Sequence, residues 1–246
     1  MHHEERKTKR SVFVSLVAVF ASFNVICDSL MGLPELSSGV WYSWIFLATP
    51  ITGIVLGPYA GFISSLIGVM IGNFIYFRGP YEFLFTIGAP LGAMVSGLLF
   101  RRRWKTALTY YTVLLAIYFA TPVAWQLPIW GMWDVYCAYA GLFAANIMIM
   151  KGSWEPKSRG IPYALTMCAF IGLEADVLFR IFVFIPCQTY RLFYDLNIEA
   201  LRMVWILGAT ETPIKVAISS LFTAIIGPPL IKVVRKSGLL LVDWLQ

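Results

Sequence analysis

Residues 83–103 read FLFTIGAPLGAMVSGLLFRRR, in which eighteen residues without a charged side chain are followed directly by three arginines. About 20 apolar residues form an α-helix long enough to cross the roughly 30 Å hydrocarbon core of a bilayer. Arginines next to such a segment are typical of the cytoplasmic end of a membrane helix. This stretch therefore predicts a helix that crosses a membrane and ends in the cytoplasm.

The composition of the whole chain agrees with this stretch. Of its 246 residues, 59% are apolar and only 13% are charged, and the mean hydropathy is +0.74. Soluble domains average roughly 45–50% apolar and about 25% charged residues. A soluble fold of this length cannot bury so much apolar surface without exposing large patches. The composition excludes an ordinary cytosolic enzyme, a nucleic-acid-binding module and a disordered chain.

Eight apolar runs are long enough to be membrane-spanning helices. Loops and sheet edges cannot face lipid, so each run is predicted to be helical. No linker separates two parts of the chain, and we expect one all-α integral membrane domain over residues 1–246. The runs cover residues 11–31, 41–57, 60–77, 83–100, 107–126, 133–150, 161–186 and 205–231.

The basic residues predict the orientation of the chain. If eight helices alternate in direction, 14 of the 19 lysines and arginines fall on one side, and only Arg78, Arg191 and Arg202 fall on the other. Cytoplasmic loops carry an excess of Lys and Arg. We therefore expect a multi-pass protein of the cell membrane with both termini in the cytoplasm. The 14 residues are Arg6, Lys7, Lys9, Arg10, Arg101, Arg102, Arg103, Lys105, Lys151, Lys157, Arg159, Lys232, Arg235 and Lys236.

Five charged residues interrupt the last two runs, where a charge in hydrocarbon costs at least a few kcal/mol. Asp176 and Arg180, and likewise Glu211 and Lys215, are four residues apart, which places each pair on one helical face. Each pair either neutralises itself or contributes to a ligand site. Glu174 has no partner at helical spacing, so we expect it to reach Lys215 across the bundle or to meet a ligand.

Aromatic and acidic residues concentrate on the predicted outer side. Trp41, Trp44, Tyr81 and Glu82 fit an interfacial belt of aromatic side chains, and they fit equally an outward-facing substrate pocket. Asn73 lies at membrane depth, where it bonds to another helix or to the substrate. These residues, with the five charged ones, form the predicted substrate site.

Small side chains form a stripe on the first run at Ser11, Ser15, Ala18 and Ser22. Such a stripe lets another helix approach closely. The approaching helix belongs either to this same bundle or to a partner membrane protein.

The motifs of several enzyme classes are missing. The only histidines are His2 and His3, and the sequence has no HExxH motif, no G-x-S-x-G elbow and no P-loop. The four cysteines lack metal-ligand spacing; we expect buried free thiols, with a Cys27–Cys187 disulfide left open. These absences exclude HExxH zinc proteolysis, a histidine-based mechanism in the membrane and ATP binding by a Walker motif. We expect no metal and no cofactor.

Three segments resemble the substrate-binding S components of energy-coupling factor (ECF) transporters. ATPITGIVLGPYAG (residues 48–61) is similar to their second-helix signature, and GLPELSS (32–38) resembles their first external loop. TPIKVAIS (212–219) resembles the final helix of the riboflavin-type members, where a lysine lies near the ligand; here that lysine is Lys215. The small-residue stripe resembles the docking face of the family.

The resemblance implies a six-helix core, to which runs five and six add a hairpin. It also implies a protein that is not itself an enzyme and that captures a vitamin-like micronutrient with high affinity. The loaded protein then docks on a transmembrane T component with two cytoplasmic ATPases. Two other functions stay open: an intramembrane enzyme centred on the five charged residues, and a proton-coupled secondary transporter using Glu174 or Glu211. No nucleic-acid partner is expected.

Overall fold

The computed structural model describes residues 2–32, 42–151, 154 and 160–236. Within these residues the chain is almost entirely helical, and the only β contact is an isolated bridge between Met31 and Ser43. All eight apolar runs contain a helix. The helices are α1 (His2–Ser29), α2 (Ile45–Leu56), α3 (Pro58–Ile75), α4 (Glu82–Thr86), α5 (Gly88–Phe100), α6 (Trp104–Ala120), α7 (Trp133–Met150), α8 (Ile161–Phe184), α9 (Thr189–Leu192) and α10 (Ile198–Lys236).

Five helical segments in the described part of the chain are long and apolar enough to cross a membrane. An all-α fold of this composition is that of a membrane protein, as the sequence predicts. The number of crossings stays a prediction, since three of the eight runs fall outside this set. The five segments are Ser11–Ser29, Pro58–Ile75, Glu82–Phe100, Ile129–Met150 and Ile198–Val234.

The second run differs most from its predicted form. It was expected over residues 41–57, but α2 has only 12 residues and at 1.5 Å per residue is about 18 Å long. Nearly every residue of α2 is buried, because it packs against α1, α3, α5, α8 and α10. Its apolar side chains therefore serve the protein core and not a lipid-facing surface.

A sharp turn joins α2 to α3. Gly57 has φ +86°, a conformation that residues with a side chain rarely adopt, and Pro58 begins α3. A Gly-Pro connection this short predicts that the two helices are antiparallel neighbours, and α2 and α3 do pack against each other. Gly53 and Gly61 let the two helices approach closely, because a methyl group at Gly61 would lie 2.8 Å from the Gly53 Cα.

The last long helix continues where the sequence suggested an interruption. The sequence Gly227-Pro228-Pro229 predicts a break in run eight near its cytoplasmic end, whereas α10 passes through these residues and ends at Lys236. Prolines are tolerated in membrane helices because neighbouring groups satisfy the freed backbone carbonyls.

The α6–α7 hairpin lies beside the other helices. The two helices pack against each other and against α8, and their buried side chains join those of α8 in the largest apolar cluster. At one end of the bundle the Trp154 indole donates to the Leu99 carbonyl (3.1 Å) and Arg101 to the Leu56 carbonyl (3.2 Å). The basic segment after α5 and the connection after α7 therefore lie at the same end.

Candidate binding pocket

A polar pocket opens at the opposite end of the bundle. The space within it that a water-sized molecule can occupy is about 20 Å³, and the whole opening, which includes space open to solvent, is about 340 Å³. Five charged side chains line it, and they come from α1, α8, α10, the start of α4 and the connection before α4. The lining residues are Asp28, Tyr42, Ser43, Ile45, Val69, Arg78, Glu82, Thr86, Ala89, Arg180 and Lys215.

One wall of the pocket is an ion pair between Asp28 and Arg78. Ser43 joins it: its hydroxyl donates to Asp28 Oδ1 at 2.9 Å and accepts from Arg78 Nη1 at 3.3 Å. Both charged side chains are almost fully buried. Gly72 makes room for this wall, because a methyl group there would collide with Asp28. The network fixes the end of α1, the start of α2 and the segment after α3 relative to one another.

The opposite wall is held by a second ion pair. Arg180 Nε donates to Asp176 Oδ1 at 2.7 Å, one helical turn earlier on α8. Asp176 packs against Gly88, where a methyl group would overlap its carboxylate. Lys215 of α10 completes this wall, with its ammonium 5.4 Å from the centre of the Phe46 ring, a favourable cation–π distance.

Tyrosine hydroxyls and Glu82 form the rim. The Tyr194 hydroxyl donates to Glu82 Oε1 at 3.3 Å. Burial, and secondly the Glu82 carboxylate, raise the pKa of Tyr42 and of Tyr194 above the usual value for tyrosine. Both tyrosines are therefore neutral hydrogen-bond donors at physiological pH.

The predicted site residues divide into those that reach the pocket and those that do not. Glu82, Arg180 and Lys215 line it, and Asp176 supports it through Arg180. Trp41 lies outside the described residues. Glu211 lies one turn before Lys215 on α10 and is not a lining residue.

Two predicted aromatic residues lie beside the pocket but do not line it. Trp44 is half-buried, donates from its indole to the Met31 carbonyl (3.2 Å) and packs near Phe46. Tyr81 stacks on Phe193 with ring centres 4.4 Å apart. Both therefore stabilise the segments around the opening.

Two predicted polar residues are completely buried and do not line the pocket. Asn73 and Glu174 each have 0% exposure, and their polar side-chain atoms have no hydrogen-bond partner among the described residues. Glu174 lies on α8 among α6, α7 and α10, where it feels the charges of Asp134, Asp176 and Lys215. Glu174 does not line the pocket, and its contact with a ligand stays a prediction.

Sequence reasoning did not include Asp28, Arg78, Tyr42, Ser43 and Thr86 in the site. An available signal was Asp28, an acidic residue inside the first apolar run. Its partner Arg78 could not be identified from spacing, because the two are 50 residues apart.

The side chains of the small-residue stripe are all exposed. Ser11, Ser15, Ala18 and Ser22 lie on the outer surface of α1 and are not buried by the described part of the bundle. The four cysteines are free thiols, so Cys27 and Cys187 form no disulfide. Cys27 and Cys168 are buried as expected, whereas Cys137 and Cys187 are exposed.

No cluster of three or more His, Cys, Asp or Glu side chains in the described ranges is placed to hold a metal ion. The pocket instead offers fixed charges and neutral hydroxyls, an arrangement suited to binding a small polar molecule. Compared with known proteins, the chain matches no family model, no curated sequence and no solved structure.

Proposed function

We propose that this chain is a membrane-embedded subunit that captures a small molecule, and that it acts as the S component of an ECF-type importer. The observation that carries the proposal is the pocket at one end of the bundle, where five charged side chains from distant parts of the sequence meet. Charged groups buried in a membrane protein are costly and usually functional. A ligand that bonds to them accounts for their position.

The charges in the pocket support binding more than catalysis. Asp28 is paired with Arg78, and Arg180 with Asp176, so the walls present charges that are already held in place. Such preorganisation reduces the ordering cost of binding. A vitamin-like substrate carrying both hydrogen-bond donors and acceptors matches walls of this kind, and the chain itself needs no catalytic activity.

The distribution of charge supports an outward-facing pocket. Arg101 after α5, and Lys151 and Trp154 after α7, lie at the end remote from the pocket. Under the positive-inside rule that end is cytoplasmic. We therefore place the chain in the cell membrane with eight crossings, both termini in the cytoplasm and the pocket open to the outside.

The surface of α1 supports a docking role. Its small side chains are exposed, as expected of a face that receives a helix from a T component. The helices α1, α3, α5, α8 and α10 pack around α2. Together with α2 they correspond to the proposed six-helix core, with α6 and α7 as the added hairpin. Two cytoplasmic ATPases would supply the energy for import.

Reconstitution tests this function. The purified chain is analysed by mass spectrometry for a retained small molecule, and uptake of that molecule is measured in proteoliposomes. The proposal expects uptake only when a T component and its ATPases are present with ATP. Uptake driven by a proton gradient in vesicles that contain this chain alone would contradict it and would support a secondary transporter.

A further inference from the structure

The Glu174 carboxyl group lies in the interior of the bundle without a hydrogen bond to stabilise a negative charge. Its side chain is 0% exposed, and neither carboxylate oxygen has a hydrogen-bond partner among the described residues. A buried carboxylate without hydrogen bonds is far less stable than its neutral acid. The lack of hydrogen-bond partners therefore favours the protonated, neutral form of Glu174 in the folded protein.

The neighbouring hydroxyl groups already donate elsewhere. Tyr111, which is fully buried on α6, donates to the carbonyl of Ile171 at 2.6 Å. Tyr110, next to it, donates to the carbonyl of Ala175 at 2.9 Å. Both acceptors belong to α8, on either side of Glu174, so neither tyrosine hydroxyl is directed at the glutamate.

The surrounding charges favour the neutral acid as well. Asp134 of α7 and Asp176 of α8 are the nearest acidic groups, and each repels a negative charge on Glu174. Arg180 is bonded to Asp176. Lys215 of α10 is the cation whose attraction reaches Glu174, but it forms no hydrogen bond to the glutamate oxygens.

The remaining helices around α8 add no compensating charge. Neither α2 nor α5 contains an ionisable residue. The short helices α4 and α9 pack near Phe184, at the far end of α8, where they contribute Glu82 and Arg191.

We infer that Glu174 is a proton-binding site, occupied in the folded protein and separate from the polar pocket. Lys215 connects Glu174 with the pocket. Its side chain lines the pocket, and it is the cation whose charge acts on Glu174. Loss of the proton would place a negative charge next to a pocket residue. This inference does not depend on the proposed transport function.

Infrared spectroscopy of the purified, ligand-free protein at neutral pH tests the inference, because a protonated carboxyl group and a carboxylate absorb at different frequencies. We expect a protonated-carboxyl band that shifts in D₂O, disappears in Glu174→Gln and persists in Asp134→Asn and Lys215→Met. An ionised Glu174 paired with Lys215 predicts the reverse: no such band in the wild type, and a new one in Lys215→Met. A band lost in Asp134→Asn but retained in Glu174→Gln would also overturn the inference.

A second measurement covers the case in which Glu174→Gln does not fold. Wild-type protein with ¹³C-labelled glutamate must show an isotope shift of the protonated band, whereas an unshifted band would assign the proton to an aspartate and contradict the inference. If the variant folds, its melting temperature should equal that of the wild type at acidic pH. As the pH rises to neutral, the wild type should lose stability relative to the variant, since only the unfolded wild-type chain releases the proton.

Discussion

Arg78 and Asp28 lie 50 residues apart in the sequence and form a buried ion pair that joins the segment after α3 to the end of α1. Ser43 bonds to both residues and so ties the start of α2 to the same point. The pair therefore has two roles. It closes one side of the pocket, and it fixes three segments that would otherwise be joined only by loops.

Removing one member of this pair should destabilise the protein. Asp28→Asn leaves the Arg78 guanidinium buried without its counter-charge, which costs roughly 3 kcal/mol. A thermal melt in detergent should show a clear fall in the melting temperature, and Arg78→Gln in the same chain should recover part of it. Asp195→Asn, at an exposed position of the same end, is the matched control and should melt like the wild type. An unchanged melt for Asp28→Asn would mean that the pair is not formed.

Glycine at position 53 should be required for the packing of α2 against α5. A methyl group at Gly53 would overlap the carbonyl oxygen of Ala93, and because that atom belongs to the backbone it cannot move aside easily. Gly53→Ala should lower the free energy of unfolding by about 2 kcal/mol. Gly208→Ala provides the control: nothing lies within 4 Å of the added methyl group, and alanine favours the helix. If Gly53→Ala and Gly208→Ala change the free energy of unfolding equally, α2 and α5 do not pack as closely as described.

The sequence predicted the architecture better than the site. Apolar runs mark helices reliably because every backbone group in a membrane must be satisfied within its own segment. The length of α2 was overestimated, since a helix buried by five others is as apolar as one that faces lipid. The Arg180–Asp176 pair could be predicted because its spacing is local. Arg78 could not be placed, because its partner is fixed only by the tertiary packing of α1 on α3.

Orientation in the membrane can be measured by labelling single cysteines. All four native cysteines are replaced, and one cysteine is introduced at Lys151 or at Gln126, both of which are exposed. Because Lys151 lies in a basic connection, we expect an impermeant maleimide to label only the Gln126 variant in intact cells. After permeabilisation both variants should react. Labelling of the Lys151 variant from outside would reverse the proposed orientation.

The stripe on α1 should be needed for assembly but not for binding. Ala18→Trp places a large ring on the exposed small-residue face, and we expect it to prevent co-purification with a T component. Retention of the small molecule by the isolated chain should be unaffected, because the pocket lies at another part of the bundle. Ile67→Trp, at an exposed position on α3, is the control and should assemble normally. Normal assembly of Ala18→Trp would place the docking face elsewhere.

The most direct test of the central claim is the affinity of the pocket variants for the small molecule retained by the purified chain. Lys215 and Arg180 line the pocket from two different helices, so Lys215→Met and Arg180→Gln should each weaken binding at least tenfold, about 1.4 kcal/mol. Glu199→Gln, on the exposed first turn of α10, should bind like the wild type. Titration calorimetry on monodisperse protein gives these affinities. Wild-type affinity in both pocket variants would show that the molecule binds elsewhere and would contradict the account.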